Sequence, residues 1–301
     1  MRVGILGAGF SGSEIGLALS QTCADVWGTT RSEEKTNWLS GKGIEPILFD
    51  GVALTNDLRD ALSKTTHLII SIAPPRTENL EEPDAIVDPT LLALSNLSLK
   101  DAAPDLEWIG YLSTVGVYGN HNGAWIDEET PVAPVSARSR QRVRAEAEWL
   151  SVGEAIEVPV GVFRLSGIYG PGRNALLSAE KGKARRLVKK DQVFNRIHVG
   201  DIAQALVSAA EKKAAGLFNI TDNEPAPPQD VVKFTHELMG LEPPPEIDFE
   251  TADLTPMARS FYGENKRVAN AKSRSVLAME YQWPNYRESL TRMWNEKNWR
   301  G

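Results

Sequence analysis

Short apolar runs alternate with longer segments of helical apolar spacing through the first two thirds of the chain. The runs predict seven strands, at residues 3–6, 25–28, 44–49, 67–72, 108–112, 158–163 and 217–220. Strands that alternate with amphipathic helices are typical of a parallel sheet covered on both faces. The pattern therefore predicts an α/β fold with a doubly wound parallel sheet.

Composition places the chain among ordinary globular proteins. Hydrophobic residues make up 42% and charged residues 24% of the 301 residues, which excludes a disordered, collagen-like or coiled-coil chain. This length predicts two units or one enlarged α/β domain. The single cysteine, Cys23, excludes an intrachain disulfide and a multi-cysteine metal cluster, and we expect no bound metal.

The chain has no apolar segment of the length that crosses a membrane, which is about 18 residues or more. Its first residues, MRVGILG, resemble a strand entering a glycine turn and lack the apolar core of a signal peptide. We therefore expect a cytoplasmic protein with no membrane partner.

Charge is distributed unevenly. The formal net charge is −7, yet residues 131–200 hold 13 Lys or Arg against 6 Asp or Glu. The acidic total disfavours nucleic-acid binding, whereas a local basic region facing a cleft suits a small anionic ligand such as a phosphate ester. For the basic run at residues 181–190, solvated helix faces are the competing interpretation.

A glycine-rich turn follows the first predicted strand. Residues 7–12, GAGFSG, match the GxGxxG pattern between a strand and an amphipathic helix. Gly7 permits the tight turn, Gly9 lets the backbone approach a pyrophosphate, and Gly12 lets the helix pack closely on the strand. The free N–H groups at the helix start, which includes Phe10 and Ser11, then bind the phosphate. This context favours a Rossmann dinucleotide site over a chance glycine loop.

The acid that bonds the ribose 2′-hydroxyl of NAD is missing from its expected position. The second strand is followed by Thr30 and Arg31, a hydroxyl and a guanidinium that can hold a 2′-phosphate. We therefore expect NADP rather than NAD, the alternative being that Arg31 merely flanks a helix. Asp50 is expected to reach the adenine, unless it is an ordinary turn aspartate. Ala73, after the fourth strand, is a further expected cofactor contact.

The composition shifts after residue 220, where prolines surround a predicted helix at residues 229–239. We predict an NAD(P)-binding Rossmann domain at residues 1–170 and a smaller substrate-binding lobe at residues 171–301. Residues 196–222 are expected to return to the main sheet.

Four ordered motifs resemble the extended short-chain dehydrogenase/reductase family, the NAD(P)-dependent epimerase/dehydratase group. They are the glycine turn, LSTVGVYG at residues 112–119, FRLSGIYGPG at residues 163–172, and RIHVGDIA at residues 196–203 with FNI at residues 218–220. The resemblance covers nearly the whole chain. It implies a Rossmann fold, a nicotinamide cofactor, an oxidoreductase or epimerase activity and a homodimer.

The resemblance breaks at the catalytic pair. The family places Tyr-x-x-x-Lys on the helix after the fifth strand, with a glutamate four residues further on. When the family's glutamate is aligned with Glu146, Arg142 occupies the lysine position and Arg138 occupies the tyrosine position. A guanidinium, with a pKa above about 12, does not act as a general base, whereas Arg142 can still bond the nicotinamide ribose. This loss of the pair is similar to the atypical short-chain dehydrogenase/reductase group.

Other side chains are candidates for the missing chemistry. Thr114, with Ser113 beside it, is an expected substrate contact or a strand-end cap. Asp88 lies near the position of the family's active-site asparagine, and its alternative is a helix N-cap. Tyr169, four residues before Arg173, is a candidate acid with a depressed pKa, unless it only packs beside the nicotinamide pocket.

Two more candidates lie in the turn after the fifth strand. Tyr118 is expected to border the cleft, and His121 is a candidate for proton transfer, a common role of histidine, unless it is a solvated loop histidine.

Arginines form the last candidate group. Four of them are expected to form a pocket for a phosphate or carboxylate, with a solvent-facing stripe as the alternative: Arg138, Arg142, Arg173 and Arg196.

The leading hypothesis is an NADP-dependent oxidoreductase or epimerase/dehydratase-like enzyme that acts on a small anionic carbonyl or hydroxyl compound. The alternative is a non-catalytic NADP(H)-binding sensor or regulatory protein, because the Tyr-x-x-x-Lys pair is absent.

Overall fold

The computed structural model describes residues 1–22, 24–74, 86–94 and 97–301, so Cys23 lies outside the described residues. The strands are β1 Arg2–Leu6, β2 Asp25–Thr30, β3 Glu45–Leu48, β4 His67–Ile70, β5 Trp108–Thr114, β6 Trp125–Ile126, β7 Val160–Leu165, β8 Gly167–Tyr169, β9 Arg186–Val188, β10 Arg196–His198, β11 Gly216–Ile220, β12 Glu246–Asp248 and β13 Arg267–Val268. The helices are α1 Phe10–Ser20, α2 Thr36–Ser40, α3 Asn56–Leu62, α4 Pro89–Ala93, α5 Leu99–Ala102, α6 Ala137–Ala155, α7 Ala175–Glu180, α8 Val199–Lys212, α9 Pro228–Leu238, α10 Pro256–Phe261, α11 Ala271–Val276 and α12 Tyr286–Glu296.

Seven strands form one parallel sheet in the order β11-β7-β5-β4-β1-β2-β3. They are the seven strands that the apolar runs predict, and the predicted fold class is confirmed. In the register, Val3 lies beside Val26 on β2 and His67 on β4. The chain runs outward in both directions from β1, so a crevice opens at the carboxyl ends of the central strands, where such sheets bind ligands.

Alternating side chains of each strand pack on opposite faces of this sheet. Ile5 belongs to a cluster with Ile15 of α1 and Leu206 of α8, whereas Leu6 packs with Leu58 of α3 and Trp149 of α6. Both faces are thus buried under helices, which explains why the strands are nearly continuous apolar runs.

Three smaller two-stranded parallel sheets pair β10 with β8, β12 with β9, and β13 with β6, the last of which precedes β7 in the chain. Helices α7, α9 and α12 enclose a cluster that includes Leu176, Val231 and Met293. The helix predicted at residues 229–239 is α9, and β11 is the edge strand of the main sheet. The boundary after residue 170 stays a prediction. No helix in the described ranges combines the length and the apolar character that a bilayer span needs.

Candidate functional site

The glycine turn joins β1 to α1 in a geometry that only glycine permits at two positions. Gly7 has φ +96°, in the left-handed region that other residues rarely adopt. A Cβ on Gly12 would lie 2.3 Å from the carbonyl oxygen of Gly7, so a side chain there would force the helix away from the strand. The Gly7 N–H donates to Oγ1 of Thr29 at 2.7 Å, which fixes the turn to β2.

The turn leaves donors and space for an anion. Gly9 is the N-cap of α1 and supplies no side-chain cap, so the helix's first N–H groups are left for a ligand. A Cβ on Gly9 would meet nothing within 4 Å, so this face of the turn is open. A helix N-terminus of this kind binds phosphate, and the turn fits the pyrophosphate of a dinucleotide.

A cavity of about 800 Å³ extends from this turn along the carboxyl ends of the strands. That volume lies within the range of small-molecule sites. Nine of the ten predicted cofactor contacts line the cavity: Gly7, Gly9, Phe10, Ser11, Thr30, Arg31, Asp50, Ala73 and Arg142. Gly12 lies behind the turn, where it lets the helix approach the strand.

The end of the cavity beside β2 and β3 is charged. Arg31 and Lys35 are exposed and line it, as does Asp50. The Asp50 carboxylate also accepts the Val52 N–H at 2.8 Å, so it is both a turn aspartate and a lining residue. Lys35, which is not among the residues predicted from the sequence, lies four residues after Arg31 and gives this end a second cation.

The opposite end lies at the carboxyl ends of β5 and β7. It is lined by Leu112, Ser113, Arg142, Leu165 and Ile168. In Rossmann folds the glycine turn binds the pyrophosphate in the middle of the dinucleotide, and the adenosine half lies toward the second strand. The nicotinamide half is therefore expected at this end.

Arg142 is anchored at the cavity wall. Its Nη1 donates to the carbonyl oxygen of Leu112 at 2.7 Å and to the hydroxyl of Tyr111 at 3.0 Å. Burial raises the pKa of Tyr111 well above its usual value, so the phenol stays neutral beside the guanidinium. The structure thus brings Arg142, alone among the four predicted arginines, into the cavity lining.

Ser113 joins a buried ionic network. Its Oγ donates to Oε1 of Glu146, and both oxygens of Glu146 accept from Arg164, at 2.7 and 3.2 Å. Glu146 and Arg164 are both almost fully buried. Neither Glu146 nor Arg164 stands out in the sequence as a paired residue, because only the fold brings the two charges together.

Two neighbouring candidates have structural contacts. Thr114 lies outside the cavity lining, and its Oγ1 accepts the Gly116 N–H at 3.1 Å, the strand-end cap foreseen as the alternative. Asp88 is the N-cap of α4, accepting the N–H of Thr90 at 2.9 Å and of Leu91 at 3.4 Å. It is fully buried outside the cavity lining, so its expected substrate contact is replaced by the N-cap alternative.

The predicted tyrosines lie away from the cavity lining. Tyr169 packs in the cluster of α7, α9 and α12, and burial raises the pKa of its phenol far above the usual value. The expectation of a depressed pKa is therefore wrong, because desolvation outweighs the attraction of any nearby arginine. Tyr118 is buried and donates to Oδ1 of Asn219 at 2.8 Å. It supports the fold beneath the cleft.

His121 also lies outside the lining. One ring nitrogen, Nε2, is 3.0 Å from the carbonyl oxygen of Tyr118, and its backbone N–H donates to Asn265 at 3.0 Å. These contacts fix the loop that holds β6 beside β13.

The expected pocket of four arginines is not assembled. The Arg138 guanidinium lies over Phe261 at 4.9 Å, and that of Arg173 lies over the ring of the lining residue Phe10 at 5.7 Å. Arg196 instead donates to the carbonyl oxygens of Phe194 and Ala226, inside the C-terminal part of the chain. Arg138 and Arg142 share α6, whereas Arg173 follows β8 and Arg196 lies on β10, so spacing along the chain gave no measure of the separation between these three places.

Groups of three or more His, Cys, Asp or Glu that fit a metal ion are not found among the described residues. A metal-free site stays the expectation.

Comparisons with known proteins agree with this geometry. The profile of the NAD dependent epimerase/dehydratase family matches residues 3–221. The 3-diazoavenalumate denitrifying reductase of a Streptomyces species is 27% identical over 163 residues, 50% of this chain and 52% of that protein. The chain thus matches about half the length of this relative.

Two solved structures cover nearly the whole chain. A conserved protein of unknown function from Silicibacter pomeroyi DSS is 42% identical, with a TM-score of 0.86 and 98% of both chains covered. The dTDP-glucose 4,6-dehydratase from Bacillus anthracis str. Ames, in complex with NAD, is 20% identical, with a TM-score of 0.74 and 99% and 97% covered. At 20% identity the likeness shows the fold alone.

Proposed function

Because the chain belongs to the NAD-dependent epimerase/dehydratase family, we propose that it is an NADP-dependent oxidoreductase acting on a small carbonyl or hydroxyl compound. The observation that carries the proposal is the continuous cavity, which runs from two cations at the β2 end, past the open glycine turn, to Arg142 at the β5 end. A nicotinamide dinucleotide supplies hydride chemistry when it is bound.

The choice of NADP rests on the β2 end. Arg31 and Lys35 line the cavity there, and β2 ends in Thr30 without the acid that favours a free 2′-hydroxyl. A guanidinium and an ammonium both make charge-assisted hydrogen bonds to phosphate. Their positions support a subsite for the 2′-phosphate.

Other residues of the cavity would bind the rest of the cofactor and exclude water from the substrate end. The N–H groups at the start of α1 would hold the pyrophosphate, and Arg142 would bond the nicotinamide ribose. Leu112, Leu165 and Ile168 would exclude water from the end where chemistry takes place. A small, anionic substrate, a cytoplasmic location and a homodimer stay predictions.

Calorimetric titration of the purified protein with NADP⁺, NADPH, NAD⁺ and NADH tests the proposal. We expect NADP(H) to bind more tightly than NAD(H), and Arg31→Ala to reduce that preference to the part that Lys35 supplies. Arg287→Ala, the same change of charge on the distant helix α12, is the control. Equal binding of all four nucleotides would contradict NADP specificity, and no binding would overturn the proposal.

A second candidate is a non-catalytic NADP(H) sensor, which the arginines at the Tyr-x-x-x-Lys positions favour. A sensor requires the two redox states of the cofactor to bind with clearly different affinities. Similar dissociation constants for NADP⁺ and NADPH would favour the enzyme, and the same titration decides between them.

A further inference from the structure

The nicotinamide end of the cavity holds few polar side chains. Among the described residues that line this end, Ser113 and Arg142 are polar and the others are apolar. No tyrosine, lysine, histidine or carboxylate of the described chain lines it. A substrate oxygen there would therefore meet a hydroxyl and a guanidinium.

Ser113 presents an acceptor to the cavity. A serine hydroxyl has one hydrogen, and that hydrogen is donated to Oε1 of Glu146. Glu146 is held in turn by two hydrogen bonds from Arg164, so the orientation of the Ser113 hydroxyl is fixed from below. In this arrangement Ser113 does not supply a proton to the substrate.

Arg142 presents donors that do not dissociate. Its Nη1 hydrogens are used by Leu112 and Tyr111, which leaves the N–H groups of Nε and Nη2 to be shared between the nicotinamide ribose and a substrate oxygen. A guanidinium stays charged at neutral pH, so it stabilises a negative oxygen without protonating it. The site is thus built to hold an oxyanion.

A site that binds an oxyanion without donating a proton favours substrates whose reduction gives a stable anion. Hydride addition to a saturated ketone leaves a localised alkoxide, which an acid usually protonates in the same step. Hydride addition to the β-carbon of an enone leaves an enolate, whose charge is delocalised and which survives until water protonates it.

Building on the function proposed above, we propose that Arg142 is the oxyanion-binding catalytic residue of an enone reductase, whose substrate class is α,β-unsaturated carbonyl compounds. A bound reduced nicotinamide would supply the hydride that forms the C–H bond at the β-carbon. The electron pair of the C=C bond moves to form the enolate, whose oxygen is held by Arg142. Water would then give a proton to the α-carbon and leave as hydroxide, which yields the saturated carbonyl compound.

The first test uses para-nitrophenol as a coloured oxyanion probe on the protein saturated with NADP⁺. If the site holds oxyanions, the bound phenol ionises at lower pH than the free phenol, and absorbance reports the shift. Arg142→Met removes the shift, whereas Arg140→Met on the exposed side of α6 keeps it. No shift, or a shift that survives Arg142→Met, overturns the proposal.

The second test compares matched acceptors. NADPH consumption is measured with cyclohexenone against cyclohexanone, and with benzylideneacetone against benzylacetone. We expect only the enones to be reduced. Their rate of reduction should not fall with rising pH through the ionisation of a side-chain acid. Arg142→Met should lower kcat about 100-fold. Reduction of the saturated ketones at similar rates, or of no acceptor, overturns the proposal. Fluorescence titration of NADPH is run in parallel, because failure to bind NADPH is instead a failure of the proposed function.

Discussion

Nη2 of Arg164 on β7 lies 2.7 Å from Oε2 of Glu146 on α6, and both side chains are buried. Ser113 of β5 donates to the same carboxylate, and the Arg164 guanidinium lies over the ring of Tyr118 at 4.7 Å. The pair therefore ties two strands and a helix together directly beneath the cavity.

Glu146→Gln is expected to lower the free energy of unfolding by about 3 kcal/mol or more, because it leaves a buried guanidinium without its counter-charge. Urea denaturation monitored by circular dichroism measures the change. Glu296→Gln breaks the exposed pair with Arg292 and should cost less than about 0.5 kcal/mol. Equal losses of unfolding free energy in the two variants would show that the buried pair stabilises the fold no more than the exposed pair.

Alanine substitutions at two glycines of the turn should affect different properties, fold stability at Gly12 and NADP⁺ affinity at Gly9. Gly12→Ala places a methyl 2.3 Å from the Gly7 carbonyl oxygen, so it should destabilise the fold by about 2 kcal/mol. Gly9→Ala meets no atom within 4 Å, so it should cost about 1 kcal/mol or less while weakening NADP⁺ binding about 10-fold. Thermal unfolding and calorimetric titration of both variants check this division. Unchanged affinity in Gly9→Ala would place the phosphate elsewhere.

His198 should make the protein sensitive to acid. Burial lowers the pKa of His198 to about 3, and its ring stacks on Trp283. The unfolded chain, with a histidine pKa of about 6.5, binds the proton first, so stability is retained above that pH and falls as the pH drops toward the folded value.

Unfolding in urea at several pH values measures whether the free energy of unfolding falls as the pH is lowered. His198→Asn keeps an acceptor for the Gly200 N–H and removes the titrating group, so its stability should fall less steeply between about pH 6.5 and 4. Parallel curves for variant and wild type would contradict the assignment of this acid sensitivity to His198.

Lys35 should contribute to cofactor selection. Lys35→Ala is expected to weaken NADP⁺ binding about 5-fold and to leave NAD⁺ binding nearly unchanged, because only the 2′-phosphate meets the ammonium. The difference should shrink at high salt, since the side chain is exposed. Calorimetry at two salt concentrations measures it, and an equal loss for both nucleotides would refute a 2′-phosphate contact.

The sequence by itself determined the sheet and the glycine turn. The seven apolar runs became the seven strands of the main sheet, because burial on both faces demands nearly continuous apolar residues. The positive φ of Gly7 and the close contact at Gly12 follow from local backbone geometry. Such features depend on neighbours in the chain, so a linear pattern is enough to predict them.

Only the tertiary structure decided which charged and aromatic residues share an environment. Arg142 reaches the cavity while Arg196 bonds carbonyls elsewhere, and Tyr169 is buried with the C-terminal helices. Glu146 and Arg164 are 18 residues apart, and Ser113 is 33 residues from Glu146. Contacts between distant residues and the desolvation that sets their pKa values arise from packing in three dimensions, which residue type and spacing do not encode.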